Sequence, residues 1–454
     1  MQLFIFVFCA ILQIGYSFVV TNATRVCIIG AGIGGLSTAR YLKAEKINFT
    51  LIESTKYVGG TWRYDERVGK DENGIPIHTS MYKNLRTNLP KATMELHGFP
   101  MPEDTPTFPS WEVYYNYLKS YAEHFDLYKC IKFEHQAISV KKFENEWKVK
   151  YKHTPTGKEV EEKFDYVVVA TGHHSKPYVP NFPGESLFKG NVIHSHDYRV
   201  PDPYKCKKVL IIGSGPSGMD ISLEVELVAK RVIHSHHSKE DFNTPFPKHH
   251  IMKPDIKEFN ETGVIFTDGT YEEIDDVIIC TGYKYDYPFL DKNCGLNITR
   301  YSVTPVYRHL VNINQPTMMV MGLFFHACLP KALDAQARYA TALIKGDFTL
   351  PSQDVMMREW QKKYDEIRSA GRPITHIHEL GDEEDEYYAA LSEESGIEKV
   401  PTVMFKIRLL DMEAMTDNLY TFRNFAYTVK DNDTFVRSVE VEEAPRIFPC
   451  AGDS

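Results

Sequence analysis

The sequence predicts an α/β fold built from two doubly wound units, the second inserted within the first. Two stretches carry this, each reading strand, glycine-rich turn, helix, strand: RVCIIGAGIGGLSTARYLKAEKINFTLIES from Arg25 and KKVLIIGSGPSGMDISLEVELVAKRVIHSHHSKE from Lys207. A third observation sets their order. Two apolar strands ending in Thr-Gly, FDYVVVATGHHSKP (164–177) and IDDVIICTGYKYDYPF (274–289), bracket the second unit and mark chain crossings. Each unit is expected to be a parallel sheet covered by helices.

Composition sets the frame. The 454 residues are 43% apolar and 25% charged, enough for more than one core, and the net charge of −9 carries no basic block of the kind nucleic acid demands. The acidic run GDEEDEYY (381–388) reads as a solvated face. The first segment, MQLFIFVFCAILQIGYSFVV, reads as a secretory signal peptide over residues 1–23. An anchor would need a linker, and the strand from Arg25 leaves none. Of eight cysteines, Cys9 falls in that leader, and Cys27 and Cys280 lie in apolar strands as small buried hydrophobes. With no CxxC, neither a thiol-redox centre nor a zinc site is expected. Five sequons, at Asn22, Asn48, Asn260, Asn297 and Asn432, suit a secreted glycoprotein, with Asn48 expected too near a core strand for modification.

In the first unit Gly30, Gly32 and Gly35 occupy the G-x-G-x-x-G positions, with Gly34 beside them. The first permits a tight turn, the second a close approach to pyrophosphate, and the third helix–strand packing. The following helix points free N–H groups at the phosphates. Glu53 ends the next strand 23 residues after Gly30, placed to accept both ribose hydroxyls of an adenosine. A second glycine pair, then Gly60, Thr61 and Trp62 of GGTW, implies another close backbone approach and favours FAD over a bare nicotinamide dinucleotide.

The second unit repeats the design with Gly213, Ser214, Gly215, Pro216, Ser217 and Gly218. No acid ends its second strand. Ser235, His236, His237 and Lys239 stand there instead, and hydroxyl and cationic groups attract a ribose 2′-phosphate where a carboxylate would repel it. NADPH is therefore the expected second nucleotide.

Between the units, FKGNVIHSHDY (188–198) has the spacing FxGxxxHxxxY. The order glycine loop, GGTW, ATG, FxGxxxHxxxY, second glycine loop and TGY resembles the class B flavin-containing monooxygenases, and Tyr198 stands where Baeyer–Villiger monooxygenases carry tryptophan. MYKNLRTNLPKATMELHGFP, FPSWEVYYNYLKSYAEHF, LDAQARYATALIKG and LPSQDVMMREW extend the resemblance over nearly the whole mature chain. It implies a signal peptide at 1–23, an FAD-binding domain at 24–174, an NADPH-binding domain at 175–285 and the remainder of the FAD domain, with a C-terminal helical region, at 286–454.

The resemblance also implies that Asn88 in LRTNLPK, beside Thr87, is the active-site asparagine near flavin and nicotinamide. His194, His196 and Tyr198 become structural posts rather than acids or bases. One departure is clear: the family places an arginine near the position of His237, so NADPH preference here rests on weaker or pH-dependent groups. The implied activity is NADPH- and O2-dependent formation of N-oxides from tertiary amines through a C4a-hydroperoxyflavin. The leader and HSHDYR are most similar to secreted insect members that oxidise plant pyrrolizidine alkaloids such as senecionine, with the haemolymph as the compartment. No nucleic acid, membrane anchor or metal is implied, and homo-oligomerisation is left open. Two alternatives stand: a broad S- and N-oxygenase of xenobiotics, and a secreted flavoprotein carrier that does not oxygenate.

Overall fold

The computed structural model of the chain describes residues 24–237, 243–440 and 450. The apolar leader and Lys239 lie outside them. Among the described residues no helix is long and apolar enough to cross a membrane.

The strand Arg25–Ile29 is buried along four of its five residues, as its apolar run requires, and pairs in parallel with Asn48–Ile52 and Tyr166–Val169. Its sheet has seven strands, ordered Val306–Tyr307, Val311–Asn312, Met318–Val320, Tyr166–Val169, Arg25–Ile29, Asn48–Ile52 and Ile131–Lys132. The chain thus leaves this sheet after Val169 and returns only near Val306. A second sheet of five strands, all parallel, fills the interval in the order His250–Lys253, Arg231–Ser235, Lys208–Ile212, Asp276–Ile279, Asn191–His194.

The two units are near copies at their glycine turns. The N–H of Gly30 donates to the carbonyl of Ile52 at 2.8 Å, and that of Gly213 to Ser235, also at 2.8 Å. A Cβ on Gly35 would lie 1.8 Å from the Gly30 oxygen, and one on Gly218 would lie 1.9 Å from the Gly213 oxygen. Only hydrogen fits there, so helices Ile33–Ala44 and Pro216–Glu226 can cross directly over their strands.

Helices do not cover both faces of either sheet. On the first, the antiparallel strands His135–Phe143, Glu146–His153 and Glu159–Phe164 bury Trp147, Val149, Tyr151 and Phe164 against Cys27, Ile29, Val167 and Val169. On the second, Ile256–Phe259, Gly263–Phe266 and Tyr271–Glu273 do the same with Phe259, Val264 and Phe266 against Leu210, Ile233 and Val277. The reason is readable in EWKVKYKH, whose alternation buries every second residue.

The acidic run also departs from expectation. Glu384 is fully buried, accepts from Arg408 at 2.5 Å and from the Cys328 N–H at 2.7 Å, and is hydrogen-bonded by the Tyr388 hydroxyl. One acid of that run is thus a core ion pair tying helices Glu384–Ser395 and Thr402–Asp417 together. A disulfide joins Cys206, in the inserted unit, to Cys450 near the C-terminus, a pairing across 244 residues. Cys27 and Cys280 are buried thiols; burial raises both pKa values, that of Cys280 to about 12.

Candidate active site

The first glycine turn and GGTW face each other. The Gly59 N–H donates to the Ala31 carbonyl at 2.9 Å, and a Cβ on Gly60 would come within 3.1 Å of the Gly32 Cα. Two bare backbones therefore wall a slot that any side chain would narrow. Helix Ile33–Ala44 starts at Gly32 with no side-chain cap, so its first-turn N–H groups are free for an anion. Thr61 is fixed from behind by the Thr79 hydroxyl, which donates to its carbonyl at 2.6 Å, and the Trp62 ring meets Tyr114 edge-on at 4.4 Å. The missing side chain of Gly34 faces Leu333 and Met321, so this glycine serves helix packing.

Glu53 is 6% exposed and does more than terminate a strand. Its Oε2 accepts from the Ala31 N–H at 2.9 Å, and its Oε1 from the Thr55 N–H at 2.8 Å and the Thr55 hydroxyl at 2.9 Å. Oε1 also accepts from the Ser54 hydroxyl at 3.2 Å, whereas Oε2 carries the one donor from Ala31. A cavity of about 220 Å³ opens beside it, lined by Ser54, Tyr57, Arg63, His78 and Glu134 among others. These features fit an adenosine diphosphate moiety.

The second turn is more open. A Cβ on Gly215 would meet nothing within 4 Å, and helix Pro216–Glu226 likewise starts without a side-chain cap. Gly215 and Pro216 are exposed, while Ser214 and Ser217 are half-buried beside them. At the strand end, Ser235 is buried and its hydroxyl donates inward to the Pro254 carbonyl at 2.7 Å. His237 is the outward group, its side chain 89% exposed and its Nδ1 3.9 Å from Asp255.

Asn88 lies where the units meet. It lines a small pocket with Pro216, Met219, Asp220, Leu223, Met415, Leu419 and Phe422, at the N-terminus of the second loop helix. Its Oδ1 accepts from Arg423 at 2.5 Å. Thr87 is buried with its hydroxyl donating to the Leu89 carbonyl at 2.8 Å, so it shapes the turn that presents Asn88. No spacing rule could have found Arg423, 335 residues downstream.

In the FxGxxxHxxxY segment, His194 and Tyr198 are tied into the fold by hydrogen bonds. His194 Nδ1 accepts from the His196 N–H at 3.1 Å, which leaves Nε2 to donate to the Gly282 carbonyl at 3.1 Å. Burial lowers its pKa to about 4, so the ring stays neutral and pins the second Thr-Gly crossing. Tyr198 is 1% exposed and donates to Glu224 on the second loop helix at 2.8 Å. The next residue, Arg199, is buried without a carboxylate partner: its guanidinium donates to the carbonyls of Asp65, His196, Tyr198, Arg67 and Thr79. It clamps the motif to the loop that follows GGTW.

Two dinucleotide cradles, one in each unit, are those of an oxidoreductase that uses two dinucleotides. The chain belongs to the flavin-containing monooxygenases: the profile of the flavin-binding monooxygenase-like family matches residues 23–240 and 247–407. Its cofactors are FAD and NADPH. It is 41% identical over 431 residues to senecionine N-oxygenase of Tyria jacobaeae, covering 93% of this chain and 94% of that one. It is 34% identical to flavin-containing monooxygenase FMO GS-OX4 of Arabidopsis thaliana, over 81% of this chain and 83% of that one. Among solved structures, S-allyl-L-cysteine S-oxygenase from Allium sativum superposes with a TM-score of 0.81 at 30% identity, covering 88% of this chain and 94% of that one.

Proposed function

We propose that this protein is an NADPH- and O2-dependent N-oxygenase of tertiary amines, with plant pyrrolizidine alkaloids as its substrate class and detoxification as its role. The observation that carries this is Asn88: an amide beside the N-terminus of the second loop helix, on a small pocket whose walls are apolar apart from Asp220, itself paired with Arg423. The reading agrees with the near full-length similarity to an N-oxygenase. The glycine turn of Gly30, Gly32 and Gly35, with Glu53 and Gly60, would hold FAD, which when bound and reduced by NADPH would supply the O2 chemistry, one oxygen atom going to the substrate and the other to water.

The protein's part is placement and dryness. Met219, Leu223, Met415, Leu419 and Phe422 give the pocket apolar walls, which would disfavour the water that diverts activated oxygen. The Asn88 Nδ2 donors, left open because Oδ1 is taken by Arg423, can hold a developing negative charge or a carboxamide oxygen. The two uncapped helix N-termini hold the phosphates. The amine must enter as its free base, since a protonated nitrogen has no lone pair to accept oxygen.

Secretion belongs to the same proposal. The Cys206–Cys450 disulfide suits an oxidising compartment, and the sequons at Asn297 and Asn432 are exposed. Asn48, expected too near a core strand for modification, is exposed at the very start of its strand. Secreted material should begin between Phe18 and Arg25; Met1 on the mature protein would refute the leader.

The direct test compares NADPH and O2 consumption, N-oxide and hydrogen peroxide for senecionine, a simple tertiary amine and a thioether. Coupled turnover of senecionine alone supports the specialist. Equal turnover of all three supports a broad oxygenase, and the likeness to a sulfur oxygenase makes the thioether the necessary comparator. A quaternary ammonium analogue should give no oxygenated product. Asn88→Leu should keep flavin but lose ~10²–10³ in product formation, the usual loss for one preorganised donor, with peroxide in place of N-oxide.

A further inference from the structure

We propose that Arg423 is a positioning residue that fixes the rotamer and the amide orientation of Asn88, and so couples the active site to the nicotinamide-nucleotide unit. This rests on the role of Asn88 argued above. An asparagine amide can face a partner with either its oxygen or its nitrogen. Arginine settles the choice, because a guanidinium only donates: the atom facing Arg423 Nη2 must be Oδ1, and both Nδ2 hydrogens are left for the pocket.

The guanidinium is itself held from several sides. Its Nη1 donates to Asp220 on helix Pro216–Glu226 at 2.8 Å, and its Nε to the Thr87 carbonyl at 3.1 Å. Asp220 also accepts from the Tyr82 hydroxyl, and the Phe422 ring covers the cation at 4.6 Å. With both ends of the ion pair only 13% and 14% exposed, the fork sits in one geometry.

The segment carrying Arg423 is strapped to the inserted unit. The Leu419 N–H donates to the Thr244 hydroxyl at 3.0 Å, and the Tyr420 hydroxyl to Glu226 at 2.9 Å. Residues 418–424 therefore touch the second loop helix at Asp220 and Glu226 and the Asn88 loop at Thr87 and Asn88. A shift of that helix on nucleotide binding would reach Asn88 through one guanidinium.

The experiment is a double-mutant cycle on the flavin-loaded full-length enzyme: Arg423→Met, Asn88→Leu and both together, with Arg423→Lys as the charge-conserving control. Flavin content and Tm are recorded, NADP⁺ affinity is read from the change in the flavin spectrum, and N-oxide formed per NADPH is measured with a turned-over amine. Arg423→Met should lower N-oxide per NADPH about tenfold, less than loss of the Asn88 donor itself, and weaken NADP⁺ binding severalfold. In the Asn88→Leu background it should lower coupling no further, because it acts through that amide. Arg423→Lys should restore part of the coupling, and it serves if the methionine variant does not fold. Multiplicative losses, or a fall in Tm and flavin content with coupling intact, would overturn the proposal. Full coupling in Asn88→Leu would instead refute the role of Asn88 on which it rests.

Discussion

The two nucleotide units share a backbone and differ at one strand end. In the first, Glu53 reaches back across its own turn, accepting from Ala31 of the glycine loop and from Thr55 beyond the strand. Loop and strand end are stitched before any nucleotide arrives. In the second, Ser235 turns inward to Pro254, and the exposed His237 stands at the rim. The first slot is also narrower, walled by Gly32 and Gly60, whereas Gly215 faces open space. The difference matches two duties. A cofactor that stays bound gains from a site preorganised around it, while a nucleotide that must enter and leave cannot be held by every group at once.

The largest test of that comparison uses the shared part. Gly35→Ala and Gly218→Ala introduce equivalent overlaps, 1.8 Å and 1.9 Å from a carbonyl oxygen. Each should cost ~3 kcal/mol locally, at the upper end for overpacking. Gly35→Ala should yield colourless, poorly folded protein. Gly218→Ala should stay yellow, with the flavin absorbance intact, and fail to consume NADPH. Flavin loss in both variants would show that the units do not fold and bind separately.

What the chain declares about itself follows from how local each requirement is. Gly35 and Gly218 are dictated by backbone contacts five residues away, at Gly30 and Gly213, so that spacing survives in the sequence, and Glu53 is legible by its distance from Gly30. The antiparallel covers were legible too, in the alternation of EWKVKYKH, but the α/β pattern suggested helices instead. Arg423 on Asn88 and Cys206 with Cys450 are tertiary meetings across 335 and 244 residues, with no local signature. Glu384 looked solvated because its neighbours are, and only the packing of Arg408 against it reveals a core pair. The site was readable where one turn builds it and hidden where three segments converge.

A second difference can be titrated. On the second loop helix, Glu224 is mostly buried against Tyr198, and burial, helped by the nearby charge of Asp220, pushes its pKa from 4.5 to about 7. Because the folded value lies above the unfolded one, the stabilisation from the protonated acid is complete below pH 4.5 and is lost as pH rises through about 7. Glu224→Gln keeps an acceptor for Tyr198 without a charge. The variant should match wild type near the lower of those pH values. Above the higher one it should exceed wild type by on the order of 2 kcal/mol, since a tenfold change in a protonation equilibrium is worth ~1.4 kcal/mol and partial exposure discounts the sum. Chemical denaturation at the two pH extremes measures this. Parallel pH curves would mean the Tyr198–Glu224 bond is not strained by charge.

The smallest effect bears most directly on the strand ends. With Ser235 turned inward, His237 and Lys239 remain the sequence's candidates for discriminating the 2′-phosphate. His237 is exposed and stands near Asp255, whose carboxylate competes with a phosphate for it and repels the phosphate directly. Exposed, solvent-screened contacts of this kind are worth at most ~1 kcal/mol each. Replacing His237 and Lys239 by Ala should therefore raise KM for NADPH by roughly fivefold to tenfold and leave KM for NADH unchanged. Asp255→Asn should move the other way, lowering KM for NADPH by about twofold to threefold, because it removes a like charge and frees the imidazole. The pair of variants separates two explanations that either alone would confound. Opposite shifts confined to NADPH place the 2′-phosphate between His237 and Asp255. Equal shifts for both nucleotides mean that this rim supports the strand end, and that the second unit reads its phosphate elsewhere.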